Sequence, residues 1–432
     1  MNVSMMGIFL SLILLMYLAY RGHSIVWVAP VCAAFVALLS GINSLDTYIG
    51  HYMEGLSDYV KTWFPAFFLG AVYGKIMDMT GSARSLAEKI ISLIGARRAV
   101  AAVVLPCLLM TYGGISLFVV VFVIYPMGYA IYRAANLPRT LLPGAIAYGA
   151  FGITMTAVPG SPQIQNLIPM QFYGTTPMAA PEMSIAAIII VGIPGYVYLE
   201  WRALQEHKKC LGFVEDTNYV EIKHDHNLPP WHWLAGLMPI LTVIITFNVL
   251  DWHIVMALLS GIIVCCATNY AQFKILLLAI SAGADNSLSA IMNTSCAVGF
   301  GSVVKAVPGF AALTTIMLNM PGSILFSEAV AVNILAGATG SASGGMSIAL
   351  SALAPHYLEK AATIGLNPEY LHRIASLSSG GLDTLPHNGA VLTLLAVSNC
   401  THTESYWDIC VTTCMIPVTG SLLLALIWGV ML

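Results

Sequence analysis

Residues 340–347 read Gly-Ser-Ala-Ser-Gly-Gly-Met-Ser, and they lie in the middle of an otherwise apolar segment, 323–357. A second long apolar segment, 99–134, carries Tyr112-Gly-Gly-Ile-Ser116 at its centre. Polar, glycine-rich backbone inside a hydrocarbon layer must be covered by protein or line a water-filled cavity, because lipid offers it no hydrogen bonds. We read both segments as re-entrant hairpins, each entering and leaving by one face of a membrane. The two centres match: Gly113-Gly114-Ile-Ser116 returns 231 residues later as Gly344-Gly345-Met-Ser347.

Two more segments are spans interrupted by Pro, Gly and amide residues. One is 139–175, broken at Pro159–Asn166, and the other is 369–398, broken at Ser378–Asn388. They match too, Thr156-Ala-Val-Pro159 with Asp383-Thr-Leu-Pro386, 227 residues apart. The segment Gly70–Gly81, with Lys75, resembles 299–309, with Lys305. Similar offsets in the same order indicate duplication. The chain then divides into a first repeat, 1–202, a hydrophilic linker, 203–230, and a second repeat, 231–432. Simple spans of about 20 residues fall at 5–20, 25–43, 60–79, 183–202, 231–250, 252–269, 289–307 and 408–431. Each repeat holds five spans, an odd number, so the second is inverted relative to the first. Segments 44–59 and 272–288 mix apolar and polar residues, and we read them as interfacial helices.

Composition agrees with an all-α polytopic membrane protein. Of 432 residues 58% are hydrophobic and 9% charged, against about 25% charged in a soluble domain. A net charge of −3 without a basic tail gives no reason to expect nucleic acid as a partner. The nine cysteines form no CxxC pair, and no metal or cofactor is expected. Met1–Tyr20 has no basic residue before it and no small-residue cleavage site, so it reads as a span rather than a signal peptide. With loops 21–24, 75–98, 133–139, 202–230 and 270–274 in the cytoplasm, 13 of the 17 basic residues lie inside, as the positive-inside rule requires. Both termini then lie outside. Lys360 and Arg373 flank the second hairpin on the outer side, against the rule.

The four breaks carry the chemistry. An unwound segment exposes the N–H groups of the half-helix that follows, the positive end of its dipole. Several such ends facing one cavity suit a carboxylate, and no Lys or Arg sits in any break. The hairpin tips contribute Gly113, Gly114, Gly344 and Gly345. Hydroxyls come from Ser116, Ser161, Ser341, Ser343, Ser347 and Thr384, and amides from Gln163, Gln165, Asn166 and Asn388. The plainer alternative is that small residues let helices pack closely. Asp383 and His387 are ionisable groups inside a span, which are costly and mark ion pathways. His387 could carry a coupled proton; sodium held by carbonyls and amides is the rival, and a capping role for Asp383 the structural alternative. Glu328 and Asp285 read as solvated or capping. The His224-Asp225-His226 cluster with His232 reads as a solvated loop.

The stretches SSGGLDTLPHNGAVLTLLAVSNCTHTESYWD (378–408), TYGGISLFVVVFVIYP and TMTAVPGSPQIQNLIPMQFYGTTPMAA (both within 111–180) resemble the gluconate permease (GntP) family of the wider ion transporter superfamily. The resemblance implies a bacterial inner-membrane symporter for small hydroxylated carboxylates, usually driven by protons. It also implies an elevator, in which a transport domain holding the hairpins and broken helices slides against a scaffold, commonly within a homodimer. By position it places the hairpin tips at Gly113, Gly114, Ser116, Ser341, Ser343, Gly344, Gly345 and Ser347, and the loops at Pro159–Asn166 and Asp383–Asn388. The gluconate-transporting branch carries a His-Val-Asn-Asp-type motif where this chain has Leu385-Pro386-His387-Asn388. That is more similar to the hydroxybutyrate permease branch, which favours a short monocarboxylate over a sugar acid. A cation/proton exchanger would concentrate acids in the breaks, which hold only Asp383, and an intramembrane enzyme would need a motif such as HExxH, which is missing.

Overall fold

The computed structural model describes residues 3–21, 23–209, 212–215, 229–318, 320, 322–386 and 388–431. Every regular element among them is helical. The first half runs α1 (Val3–Tyr20), α2 (Ile25–Leu39) and α3 (Ser44–Thr47), which passes through a π turn into α4 (Met53–Met79). A short α5 (Ser82–Ile94) leads to the paired helices α6 (Ala99–Tyr112) and α7 (Leu117–Ala134). Next come α8 (Leu142–Ala147), a π turn, α9 (Ile153–Thr156) and, after a break, α10 (Ile164–Tyr173). The half closes with α11 (Pro181–Ala187), a π turn and α12 (Ile193–Lys208).

The same order of elements occurs again. It begins with α13 (Trp233–Asn248), α14 (Ile254–Thr268), the long α15 (Phe273–Ala306) and the short α16 (Gly309–Leu318). The pair α17 (Ile324–Thr339) and α18 (Ala342–Ile364) follows, then α19 (Pro368–Ser379), a break, and α20 (Gly389–Val397). The end is α21 (His402–Cys410), a π turn and α22 (Ile416–Met431).

Two sequence expectations need correction here. Segments 44–59 and 272–288 are not separate interfacial helices. They are the leading parts of the helices continuing through α4 and α15, which pack against each other along their length. No backbone break interrupts either one, and α15 with 34 residues is about 51 Å long, more than the roughly 30 Å hydrocarbon layer needs. A short amphipathic element lies elsewhere. α5 meets the helix Ala96–Tyr112 at 95° and buries Ala83, Leu86 and Ala87 while Leu93 is exposed; α16 holds the equivalent place in the second half.

The helices fall into two packed groups. One contains α1, α2, α4, α13, α14 and α15, the other α6 to α12 with α17 to α22. The second hairpin depends on a glycine. A Cβ on Gly345 would stand 2.3 Å from both Ala336 Cα and Ala336 N, backbone atoms of the opposing arm. Gly345→Ala is therefore expected to cost about 2–3 kcal/mol, as overpacking does, and to lower the apparent Tm of the purified protein. An unchanged Tm would mean that the arms part freely.

Candidate functional site

The four breaks meet. A cavity of about 510 Å³ is bounded by both hairpin tips, both broken helices and the faces of α4, α14 and α15. Four helices point their N-termini at it. These are α7 behind Ser116, α10 behind Gln163, α18 behind Ser341 and α20 behind Asn388.

Each hairpin tip is tied to a broken helix by a side-chain amide. Gln163 Nε2 donates to Thr111 O at 2.7 Å, and Tyr112 OH donates to Pro159 O at 3.1 Å. In the other half Asn388 Nδ2 donates to Gly340 O at 3.0 Å. The turns depend on left-handed glycines, Gly114 at φ +86° and Gly340 at φ +60°, where a side chain would be strained.

The two halves differ in capping. Ser341 Oγ accepts from Gly344 N at 3.2 Å, and Asn388 Oδ1 accepts from Ala390 N and Val391 N at 2.7 and 3.1 Å. Ser116 and Gln163 make no such side-chain cap. The N–H groups of Leu117, Phe118 and Val119 in α7 and of Ile164 and Gln165 in α10 therefore remain open to a ligand in the cavity, while Asn166 N donates to Gln163 O at 2.9 Å.

Of the residues singled out from the sequence, Gly114, Ser116, Gln163, Gln165, Ser341, Ser343, Asp383 and Asn388 line the cavity. The others stand behind it. Gly113 abuts the Ile240 side chain. Asn166 Nδ2 donates to Ser161 O and Pro177 O, each at 3.0 Å, closing the first break on itself. Thr384 Oγ1 donates to Thr413 O at 3.0 Å. Gly344, Gly345 and Ser347 lie in the buried interior of α18. His387 and the His224-Asp225-His226 cluster lie outside the described residues, while His232 is buried, its Nε2 3.2 Å from Thr80 O.

Asp383 does not cap the following half-helix; Asn388 does. Asp383 sits in a 3-10 turn, and its Oδ1 is buried without a hydrogen-bond partner. Gln165 Oε1 is in the same condition. No Lys or Arg lines the cavity among the described residues.

Sequence reasoning missed several groups. Asn293 and Thr294 of α15 line the cavity; an amide in the middle of a span was the available signal. Glu328 is not solvated. It is 0% exposed, and Tyr173 OH donates to its Oε1. Asp285 is exposed, as expected. Arg373 does not flank the hairpin in solvent either. It is 0% exposed and reaches the back of the first break, donating to Asn166 Oδ1 at 3.1 Å and Ala179 O at 2.9 Å.

A membrane fold of this kind is shared with a known transporter. The crystal structure of the Alcanivorax borkumensis YdaH transporter superposes with a TM-score of 0.57, covering 89% of this chain and 88% of that one at 15% identity. The chain has the fold of a polytopic helical membrane protein. Residues 1–264 match the family model described as GntP family permease. The uncharacterized transporter YxjC of Bacillus subtilis (strain 168) is 38% identical over 93% of this chain and 94% of its own length. An uncharacterized permease of Haemophilus influenzae is 23% identical over 56% of this chain and 50% of its own length. The chain belongs to the GntP permease family.

Proposed function

We propose that the protein takes up a small hydroxylated monocarboxylate, of the 3-hydroxybutyrate or sugar-acid kind, together with a cation. The observation that carries this reading is the cavity wall: four helix N-termini, hydroxyls and amides and, among the described residues, one acid and no Lys or Arg. Helix N-termini hold a carboxylate without a fixed cation. The open first turns of α7 and α10 suit the carboxylate, leaving the Ser343 and Asp383 side for the substrate's hydroxyl.

The lone acid supplies the coupling. A carboxylate anion entering beside an ionised Asp383 is repelled, so binding requires that Asp383 be neutralised by a proton or a sodium ion. A proton fits better, because the sequence places a histidine, His387, four residues along, and histidine is the side chain suited to carrying a proton at physiological pH. In this reading the helix group holding the hairpins and broken helices moves as an elevator against the group holding α4 and α15. The two halves are inverted repeats, the termini face the outer side of the bacterial inner membrane, and the scaffolds pair as a homodimer.

The test is uptake in proteoliposomes, preceded by a thermal-shift screen of short hydroxy and sugar acids with and without sodium, since a ligand of the folded state raises its apparent stability. Substrate-dependent proton uptake is the expected result. A cation flux indifferent to every organic acid would make the protein an exchanger instead.

A further inference from the structure

We infer that Glu328 is a second proton-binding site, separate from the substrate cavity and linked to it through α10 and α17. The inference rests on reading the chain as a proton-coupled carboxylate transporter, and it adds a site that the cavity does not contain.

Glu328 lies in the first turns of α17 and is 0% exposed. Its Oε1 accepts from Tyr173 OH, while Oε2 is buried with no hydrogen-bond partner. None of the ion pairs among the described residues includes it. An ionised carboxylate in such a place would be uncompensated, at a cost of several kcal/mol. The neutral acid, with its proton on one oxygen, meets no such penalty.

Among the described residues, the titratable groups on the surrounding elements leave Glu328 without a cation. Tyr173 of α10 and Tyr357 of α18 face it, and Tyr357 OH lies 3.0 Å from Ser327 Oγ. His356, Glu359 and Lys360 of α18 are exposed. On α19, His372 and Arg373 direct their ring and guanidinium nitrogens to Asn166, Thr175, Pro177 and Ala179. Glu369 of that helix accepts from Ala180 N, and Tyr370 is half-buried beside it. Asp383 lines the cavity, Tyr17 of α1 is exposed, and α16 and α22 contain no ionisable side chain.

The linkage is mechanical. α10 is ten residues long, about 15 Å, with Gln163 and Gln165 in the cavity wall at one end and Tyr173 on Glu328 at the other. α17 runs beside the same path, from Glu328 to the tip at Gly340, roughly 18 Å away. A shift of either helix when substrate fills the cavity moves the Tyr173–Glu328 contact, and loss of the proton from Glu328 strains the same two helices. The step is a simple protonation: a hydronium ion gives its proton to Oε2, forming an O–H bond and leaving water, and on release the proton returns to a water molecule as hydronium. In the proposed orientation this end of the hairpin faces the outside, where the proton is taken up.

The experiment is the zero-flux gradient in proteoliposomes, with 3-hydroxybutyrate or gluconate as probe and the membrane potential clamped at zero. Each coupled proton sets a tenfold substrate gradient per unit of pH difference. Glu328→Gln is expected to lower the gradient at which flux reverses by tenfold per pH unit, while exchange of labelled substrate continues. The same reversal gradient in both proteins would overturn the inference. If Glu328→Gln does not reach the membrane, infrared spectroscopy of the wild type and Tyr173→Phe decides: the carboxylic-acid C=O band should move when the Tyr173 hydroxyl is lost. An unmoved band would also overturn it. A wild type that transports neither probe would count against the functional reading, and the infrared result would still settle Glu328.

Discussion

Asp383→Asn is expected to remove the fall in substrate affinity that deprotonation in the cavity causes, and to lower the proton-driven substrate gradient by tenfold per pH unit, leaving the share carried by Glu328. Among the described residues the wild-type cavity holds one acid and no Lys or Arg. Two negative charges about 6 Å apart, in an effective dielectric of about 20, repel by about 3 kcal/mol, or roughly 100-fold in affinity. Wild-type affinity should therefore fall by up to that factor as Asp383 loses its proton, whereas asparagine presents the neutral form at every pH. Calorimetric titration of the purified variant between about pH 5 and pH 8 measures this directly. If the variant still weakens with rising pH as the wild type does, the proton acts elsewhere. If wild-type affinity follows sodium concentration at fixed pH, sodium is the neutralising ion.

Arg373→Ala is expected to be the most destabilising single change in the hairpin-bearing group. The guanidinium bonds Asn166 Oδ1, Ala179 O and Pro177 O, tying α19 to the loop after α10. His372 shares Asn166, with Nε2 3.0 Å from the same Oδ1 and Nδ1 2.6 Å from Thr175 Oγ1. Truncation leaves the buried Ala179 carbonyl, which has no other donor among the described residues, unsatisfied at about 1–3 kcal/mol, and empties the space of a large buried side chain. A loss of about 4 kcal/mol in apparent stability follows. Arg373→Lys should recover only part of it, because an ammonium cannot reproduce the planar fork. A thermal melt of each variant in detergent checks the ranking, and Arg373→Ala within about 1 kcal/mol of wild type would show that the loop holds without its cation.

Asn388 and Gln163 show why much of the site was legible in the chain. An amide beside a break in an apolar span has few ways to be satisfied, and here each amide closes a hairpin tip onto a broken helix. The same logic misjudged Glu328 and Arg373. A charge near the end of an apolar segment reads as solvated or capping, because local sequence does not show that a helix from the other half will cover it. Tyr173 lies 155 residues from Glu328, and Asn166 lies 207 from Arg373. The misplaced interfacial helices have a similar cause: polar residues in 44–59 and 272–288 resemble a break, yet a helix longer than the bilayer carries them beyond the hydrocarbon without interruption.

The four interruptions, their recurrence and the absence of Lys and Arg from them were determined by the sequence alone. Lipid cannot satisfy free backbone groups, so a polar, glycine-rich gap in an apolar run already implies a shielded cavity. Tertiary structure decided which of those groups face the cavity and which stand behind it. It set Ser341 and Asn388 as caps, left the α7 and α10 ends open, and buried Glu328 and Arg373. Those outcomes depend on contacts between segments far apart in the chain, and no local pattern records them.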